Sequence, residues 1–207
     1  MYGKKLYLMR HGETLFNTQG RVQGACDSPL TQLGIDQAML AKKYFDDNAI
    51  SFDKVYSSTQ ERATDTAKLV SGQENVVQLK GIKEMDFGQF EAQPEFLLPK
   101  FRPGANSFED LLVPFGGEDI MAVGARALKT ILKVLQEEDD AESILMVSHG
   151  ATMWGLCLQL KIAFPKGVGF SNCAICEFDY DGELHLDKLI LPTKDFETHL
   201  FERDENQ

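Results

Sequence analysis

The sequence predicts an α/β fold, a three-layer sandwich with a mostly parallel central sheet flanked by helices. Three observations predict it. Short apolar runs alternate with stretches of helical period along the chain. The run Ser143 to Ser148, SILMVS, is apolar in its middle, as a central parallel strand buried on both faces is. Arg10-His11, Arg62 and His149 each fall just after an expected strand, the place where open α/β sheets bind ligands, so they are expected to share one crevice.

At 207 residues the chain is long enough for one large domain, read as residues 1–207 with a lid-like insertion at about 92–117. Its 43% hydrophobic and 26% charged content is ordinary for a globular protein. A net charge of −11 repels polyanions, which argues against nucleic acid and anionic membrane surfaces as partners. No basic segment followed by an apolar one precedes the first strand and no run reaches membrane-spanning length, so a cytoplasmic location is expected. The four cysteines are too sparse for a disulfide scaffold. Cys173 and Cys176 spell C-x-x-C within a strand-like run, where residues three apart face opposite sides and do not converge on one metal.

In chain order, Leu6 to Met9 is a short buried strand ending in a cation, an imidazole and a glycine, Arg10-His11-Gly12. Gly12 lets the backbone approach a ligand closely. Thr14, Asn17, Arg21 and Gln23 follow as hydrogen-bonding side chains suited to an oxyanion. Thr31 caps a helix running to about Asn48, with Ile35, Ala38, Ala41 and Phe45 on one face. Lys54 to Ser57 is a second strand. Ser58-Thr59-Gln60-Glu61 reads as a capping box opening a helix from Thr59 to about Ser71, with Gly72 placed to end it. Arg62 then sits in a helix first turn, where free N–H groups and the dipole favour anions; the alternative is a solvated surface arginine.

Val76 to Leu79 is a short third strand, leading to Glu84 on a loop with Asp86. Four of the seven prolines lie between Pro94 and Pro114 among Phe96, Phe101, Phe108 and Phe115, which excludes long regular structure. One or two short helices that cover the site are expected there; a packing segment without substrate contact is the alternative. A long helix then runs to about Glu138 with Ile120, Ala127, Leu128, Ile131, Leu132 and Leu135 on its buried side. After the SILMVS strand, His149-Gly150 precedes a helix from Ala151 to Lys161. Ala174 to Phe178 and Leu184 to Leu191 flank Asp181-Gly182 as a hairpin, which accounts for the Asp179 and Asp181 pair without chemistry. The tail after Lys194 is expected to form a short helix with a frayed end.

The phrase RHGETxxNxxGRxQGxxDSPLT, the segment SSTQERATDTA and the later VSHG resemble the histidine phosphatase superfamily, in its phosphoglycerate mutase-like branch. Lys83 to Gly88 resembles the segment that carries the family's acidic proton donor, with Glu84 at the matching position, and Gly116-Gly117-Glu118-Asp119 resembles its G-G-E-S. Ala151 and Trp154 stand where a Gly and an Arg are more usual, which bears on substrate identity more than on catalysis.

The resemblance implies that His11 is the nucleophile and forms a phosphohistidine, that Arg10, Arg62 and His149 clamp the phosphoryl group, and that Glu84 serves as general acid and then base. Asn17 adds a hydrogen bond, Arg21 stands further out, and Gln23, Gly24, Gly150 and Ala151 complete the candidate substrate contacts. Two histidines, two or three arginines and a carboxylic acid suit phosphoryl transfer without a metal or cofactor, and the short chain and reduced middle insertion, with few basic residues there (Lys100 and Arg102), favour hydrolysis of a small phosphate ester. A phosphoglycerate mutase and a non-catalytic phosphate-binding protein are the alternatives, the last having no use for Glu84. The exposed sheet edges leave a homodimer open.

Overall fold

The computed structural model describes residues 3–202. Strand β1 (Lys4–Arg10) leads through a one-turn helix α1 (Leu15–Thr18) to α2 (Gln32–Asp47), β2 (Lys54–Ser57), α3 (Glu61–Ser71) and β3 (Val77–Gln78). After a long irregular stretch come α4 (Ile120–Glu137), β4 (Ser143–Ser148), α5 (Gly150–Gln159), the hairpin β5 (Ile175–Tyr180) and β6 (Leu184–Leu191), and β7 (Glu197–Leu200).

The strands form one mixed sheet in the order β3-β2-β4-β1-β5-β6-β7. The β1, β2, β3 and β4 strands are mutually parallel, and β5, β6 and β7 continue the sheet antiparallel, so that β6 again runs with β1. Alternation sorts the core into two layers. Leu6 and Leu8 of β1 and Ile144 and Met146 of β4 face α4 and α5, packing on Ile131, Leu135, Met153 and Leu156. Tyr7, Met9, Leu145 and Val147 face α2 and α3, packing on Ala38, Phe45, Ala67 and Val70. Each fully buried Leu or Ile in these layers contributes about 1.5–3 kcal/mol relative to exposure. On the α4 side the helices touch backbone to backbone, because a Cβ on Gly124 would collide with the carbonyl of Gly155.

The register brings the site together. Arg10 lies opposite Ser148, and Ser57 lies opposite Val147, so β1, β4 and β2 end level with one another. Cys173 is buried in the α2/α3 layer and Cys176 in the α4/α5 layer, on opposite faces of the sheet.

Two local expectations are corrected. Ser58 opens no capping box: α3 starts at Glu61, its N-cap Gln60 makes no side-chain cap bond, and the Ser58 hydroxyl goes to His149 instead. The capping box of this region is upstream, between Thr14 and Asn17. The tail forms a 3-10 turn, Pro192–Lys194, and then β7 paired to β6 rather than a helix; residues 203–207 of the expected tail helix lie outside the described residues.

Candidate active site

At the end of β1 the backbone turns under α2. A Cβ on Gly12 would collide with the carbonyl of Gly34 in the first turn of that helix, so the close approach requires glycine. The turn holds His11 rigidly. Its carbonyl accepts from Cys173 N and Asn172 Nδ2, each at 3.2 Å, and its imidazole Nδ1 lies 2.7 Å from the Gly12 carbonyl oxygen. A carbonyl only accepts, so Nδ1 carries the hydrogen and Nε2 keeps its lone pair. Burial, and after it the charges of Arg62 and Arg10, hold His11 well below the usual imidazole range, with the Gly12 hydrogen bond opposing.

His149 follows β4, with its ring centre 5.2 Å from that of His11. Its Nε2 lies 2.6 Å from Ser58 Oγ, which also accepts the Gln60 N–H at 3.2 Å. Nε2 is the one acceptor that the hydroxyl hydrogen has among the described residues, so the hydroxyl donates to Nε2 and the proton of His149 is placed on Nδ1. Burial, then the charges of Arg62, His11 and Arg10, keep this ring too well below the usual imidazole range.

Arg10 donates through Nη1 to the Phe170 carbonyl at 2.6 Å. Burial pushes its guanidinium down from the ordinary value, opposed by Glu84. Arg62 is completely buried, a location that arginine takes only when paired. It donates to the carbonyls of Cys26 at 3.0 Å and Gly24 at 3.1 Å and pairs with Asp27 at 2.8 Å. Three donors beside His11 remain buried without an acceptor: Arg10 Nε, Arg62 Nε and His149 Nδ1. Leaving an N–H so costs about 1–3 kcal/mol, a cost that an oxyanion with several lone pairs would relieve.

Glu84 leaves a 3-10 turn, Lys80–Ile82, and its carboxylate meets the start of α5. Oε1 accepts from Met85 N at 2.8 Å and Thr152 N at 2.9 Å, with Thr152 Oγ1, whose hydrogen goes to the Lys83 carbonyl at 2.6 Å, another 3.1 Å away, whereas Oε2 accepts only Ala151 N, at 3.1 Å. Oε2 is thus the oxygen with room to exchange a proton. The segment is anchored from α4 by Arg126, which donates to the carbonyls of Gly81, Lys83 and Glu84 and pairs with Glu118 at 2.8 Å.

A cavity of about 810 Å³ opens over these groups. Arg10, His11, Asn17, Arg21, Gln23 and Glu84 line it, as do Gly150 and Ala151, and Arg62 and His149 are buried next to His11. The Asn17 side-chain oxygen is used by Thr14 N, leaving its NH2 for the cavity. Gln23 is tied on both sides, accepting from Thr14 Oγ1 at 2.6 Å and donating to Ser28 Oγ at 2.9 Å, so it braces the loop. Gly24 does not reach the cavity: its N–H goes to Glu91 and its carbonyl accepts from Gln60 and Arg62. A backbone amide already spent this way is lost to a ligand. Phe96, Leu98, Phe101 and Phe108 form the outer wall, drawn from the proline-rich segment with its two 3-10 turns, Glu95–Leu97 and Val113–Phe115.

Reading the sequence missed the residues that hold the others. Glu91 accepts the N–H groups of Gly24, Ala25, Cys26 and Phe87. Burial alone would raise its carboxyl; hydrogen bonds from Cys26, Phe87 and Ala25 outweigh this and hold it below the ordinary range. Ser58, Gln60 and Arg126 were missed likewise, since their partners are distant in sequence. Among the described residues, no three His, Cys, Asp or Glu side chains are placed to hold a metal ion.

Fold and site together define a class: an α/β enzyme with paired histidines and buried arginines at the ends of parallel strands. The chain belongs to the histidine phosphatase superfamily (branch 1), whose model matches residues 6–187. It is similar to a probable phosphoglycerate mutase GpmB from Yersinia pestis (strain Pestoides F), at 30% identity over 187 residues, 85% of each chain. Among solved structures it resembles a phosphoglycerate mutase from Bacillus anthracis str. Sterne, with a TM-score of 0.77 at 28% identity over 89% of this chain and 92% of that one. It also resembles a phosphoserine phosphatase from Entamoeba histolytica in complex with 3-phosphoglyceric acid, with a TM-score of 0.72 at 30% identity over 90% and 96% of the two chains. Among the described residues no helix is long and apolar enough to cross a membrane.

Proposed function

We propose that the chain hydrolyses small phosphate monoesters through a phosphohistidine on His11. One observation carries the reading: a histidine held with Nε2 unprotonated stands beside three buried donors that lack acceptors. The phosphoryl group sits against Arg10, Arg62 and His149, which stabilise the charge that its equatorial oxygens develop. His11 Nε2 attacks phosphorus in line, forming the P–N bond as the P–O bond to the alcohol breaks. A protonated Glu84 gives its proton from Oε2 to the departing oxygen. Water then enters and Glu84 takes a proton from it. The resulting hydroxide attacks phosphorus, the P–N bond breaks, and inorganic phosphate leaves with His11 restored.

Hydrolysis rather than mutase transfer is favoured by the mouth of the cavity, where Glu95 and phenylalanines outnumber the cations Arg21 and Lys100. A mutase must hold a second anionic hydroxy acid there and exclude water. The test is phosphate release from a panel of esters in the presence of EDTA, with wild type and His11→Ala, alongside acid-labile labelling of the protein by labelled substrate. EDTA-resistant release and labelling, both absent from His11→Ala, are expected. Transfer to glycerate without release would establish the mutase instead, and neither activity would leave a phosphate-binding protein.

A further inference from the structure

We infer that the alcohol released at this site is flat and aromatic and carries no second acidic group, an inference that rests on the hydrolase reading. The outer wall is a set of rings in mutual contact. Phe108 meets Phe87 edge-on at 5.8 Å between ring centres and Phe101 at 4.7 Å, and the cluster of Met85, Leu112 and Trp154 backs them. Phe96 stands on the rim at 84% exposure. Its ring is left to water, and a flat ligand stacked on it would remove apolar area on both sides at once.

Charge selects in the same direction. Glu95 lines the cavity that holds His11, with its backbone fixed by a 2.8 Å hydrogen bond to the Gly20 carbonyl. No direct ion pair holds its side chain among the described residues, and the cation that feels its charge is Arg10. Of the two cations at the mouth, Arg21 lies over the Phe16 ring at 5.6 Å, and Lys100 is exposed. A carboxylate or second phosphate on the alcohol meets Glu95 there, whereas an aromatic alcohol brings no charge to repel and finds rings to cover. Glu95 can also accept an N–H or O–H from such a ligand.

The test compares 2-naphthylmethyl phosphate with glycerol 1-phosphate and 3-phosphoglycerate. All three release alkoxides, so the comparison reads recognition rather than leaving-group acidity. The naphthylmethyl ester is expected to show the highest kcat/KM, by about tenfold or more, mainly through KM. Phe96→Ala, at an exposed position where folding is not at risk, narrows that preference about three- to tenfold. Glu95→Gln raises kcat/KM for 3-phosphoglycerate about threefold or more relative to the naphthylmethyl ester. A wild type that prefers 3-phosphoglycerate or glycerol phosphate, or variants that move all three esters alike, would overturn the inference. Binding of naphthylmethylphosphonate against methylphosphonate, measured by calorimetry, separates the two readings. Tighter binding of the former with no His11-dependent turnover leaves the recognition standing and removes the hydrolase. Equal binding alongside turnover does the reverse.

Discussion

The floor and the rim of the cavity are built by opposite means. On the floor, His11, Arg62 and His149 are buried, and apart from the unpaired Arg62 Nε and His149 Nδ1 most of their polar atoms are committed to a neighbour. On the rim, one 3-10 turn, Glu95–Leu97, carries Phe96, irregular chain carries Phe101 and Phe108, and Phe96 and Phe101 stand in water. The difference separates two tasks. Charge stabilisation needs donors fixed before the substrate arrives, because reorganising them during reaction would add to the barrier. Selecting an alcohol needs only a shaped, apolar surface, and an exposed one can change without disturbing the fold.

The contrast breaks most visibly at Glu84. Glu84→Gln keeps the shape and removes the transferable proton, so turnover of alkyl phosphates should fall about 10²–10⁴-fold. Nitrophenyl phosphate, whose leaving group needs no proton, should lose much less in kcat/KM, which reports formation of the phosphohistidine; equal losses in kcat/KM would remove Glu84 from the acid role. Stability comes next. Arg62→Met strands Asp27 and the carbonyls of Cys26 and Gly24, and urea unfolding should show a loss of about 3 kcal/mol. A loss below about 1 kcal/mol would mean that the floor is less committed than its hydrogen bonds indicate.

Acid gives a smaller and graded effect. Both imidazoles titrate in the folded protein well below their ordinary value, so below about pH 6.5 the unfolded chain binds protons that the folded chain refuses. Stability is therefore full above that pH and falls beneath it, by about 1.4 kcal/mol per pH unit for each histidine until the folded values are reached. Urea midpoints at pH 7, 6 and 5 check this, and His11→Asn should flatten the slope. The smallest effect belongs to the rim. Phe96→Ala should leave stability within about 0.5 kcal/mol of wild type, whatever it does to substrate preference.

How much of this the sequence discloses follows the same division. The strand ends were legible because a short, nearly all-apolar run such as SILMVS marks a buried strand by itself and is followed at once by its reactive residue, His149. The helix starting at Thr31 was legible because its cap is local, Thr31 accepting the Gly34 N–H at 3.0 Å. Ser58 was misread as a cap because its spacing to Glu61 fits one, while its actual partner His149 is 91 residues away. The tail was misread for a related reason: β7 exists through its ladder to β6, and acidic composition says nothing about a neighbouring strand. Glu91 carried no signal, since a carboxylate holding backbone N–H groups looks in sequence like any solvated one.

Arg126 ties the loop carrying the candidate acid to a helix whose inner face is fully packed, through three carbonyls and the Glu118 pair. Because α4 takes part in both this anchor and the main core, the loop has no cheap way to open alone. Amide exchange should therefore release the Glu84 N–H, held by Gln60 Oε1 at 2.9 Å, only in the slow openings that also expose α4, although the residue lies in a stretch with almost no regular secondary structure.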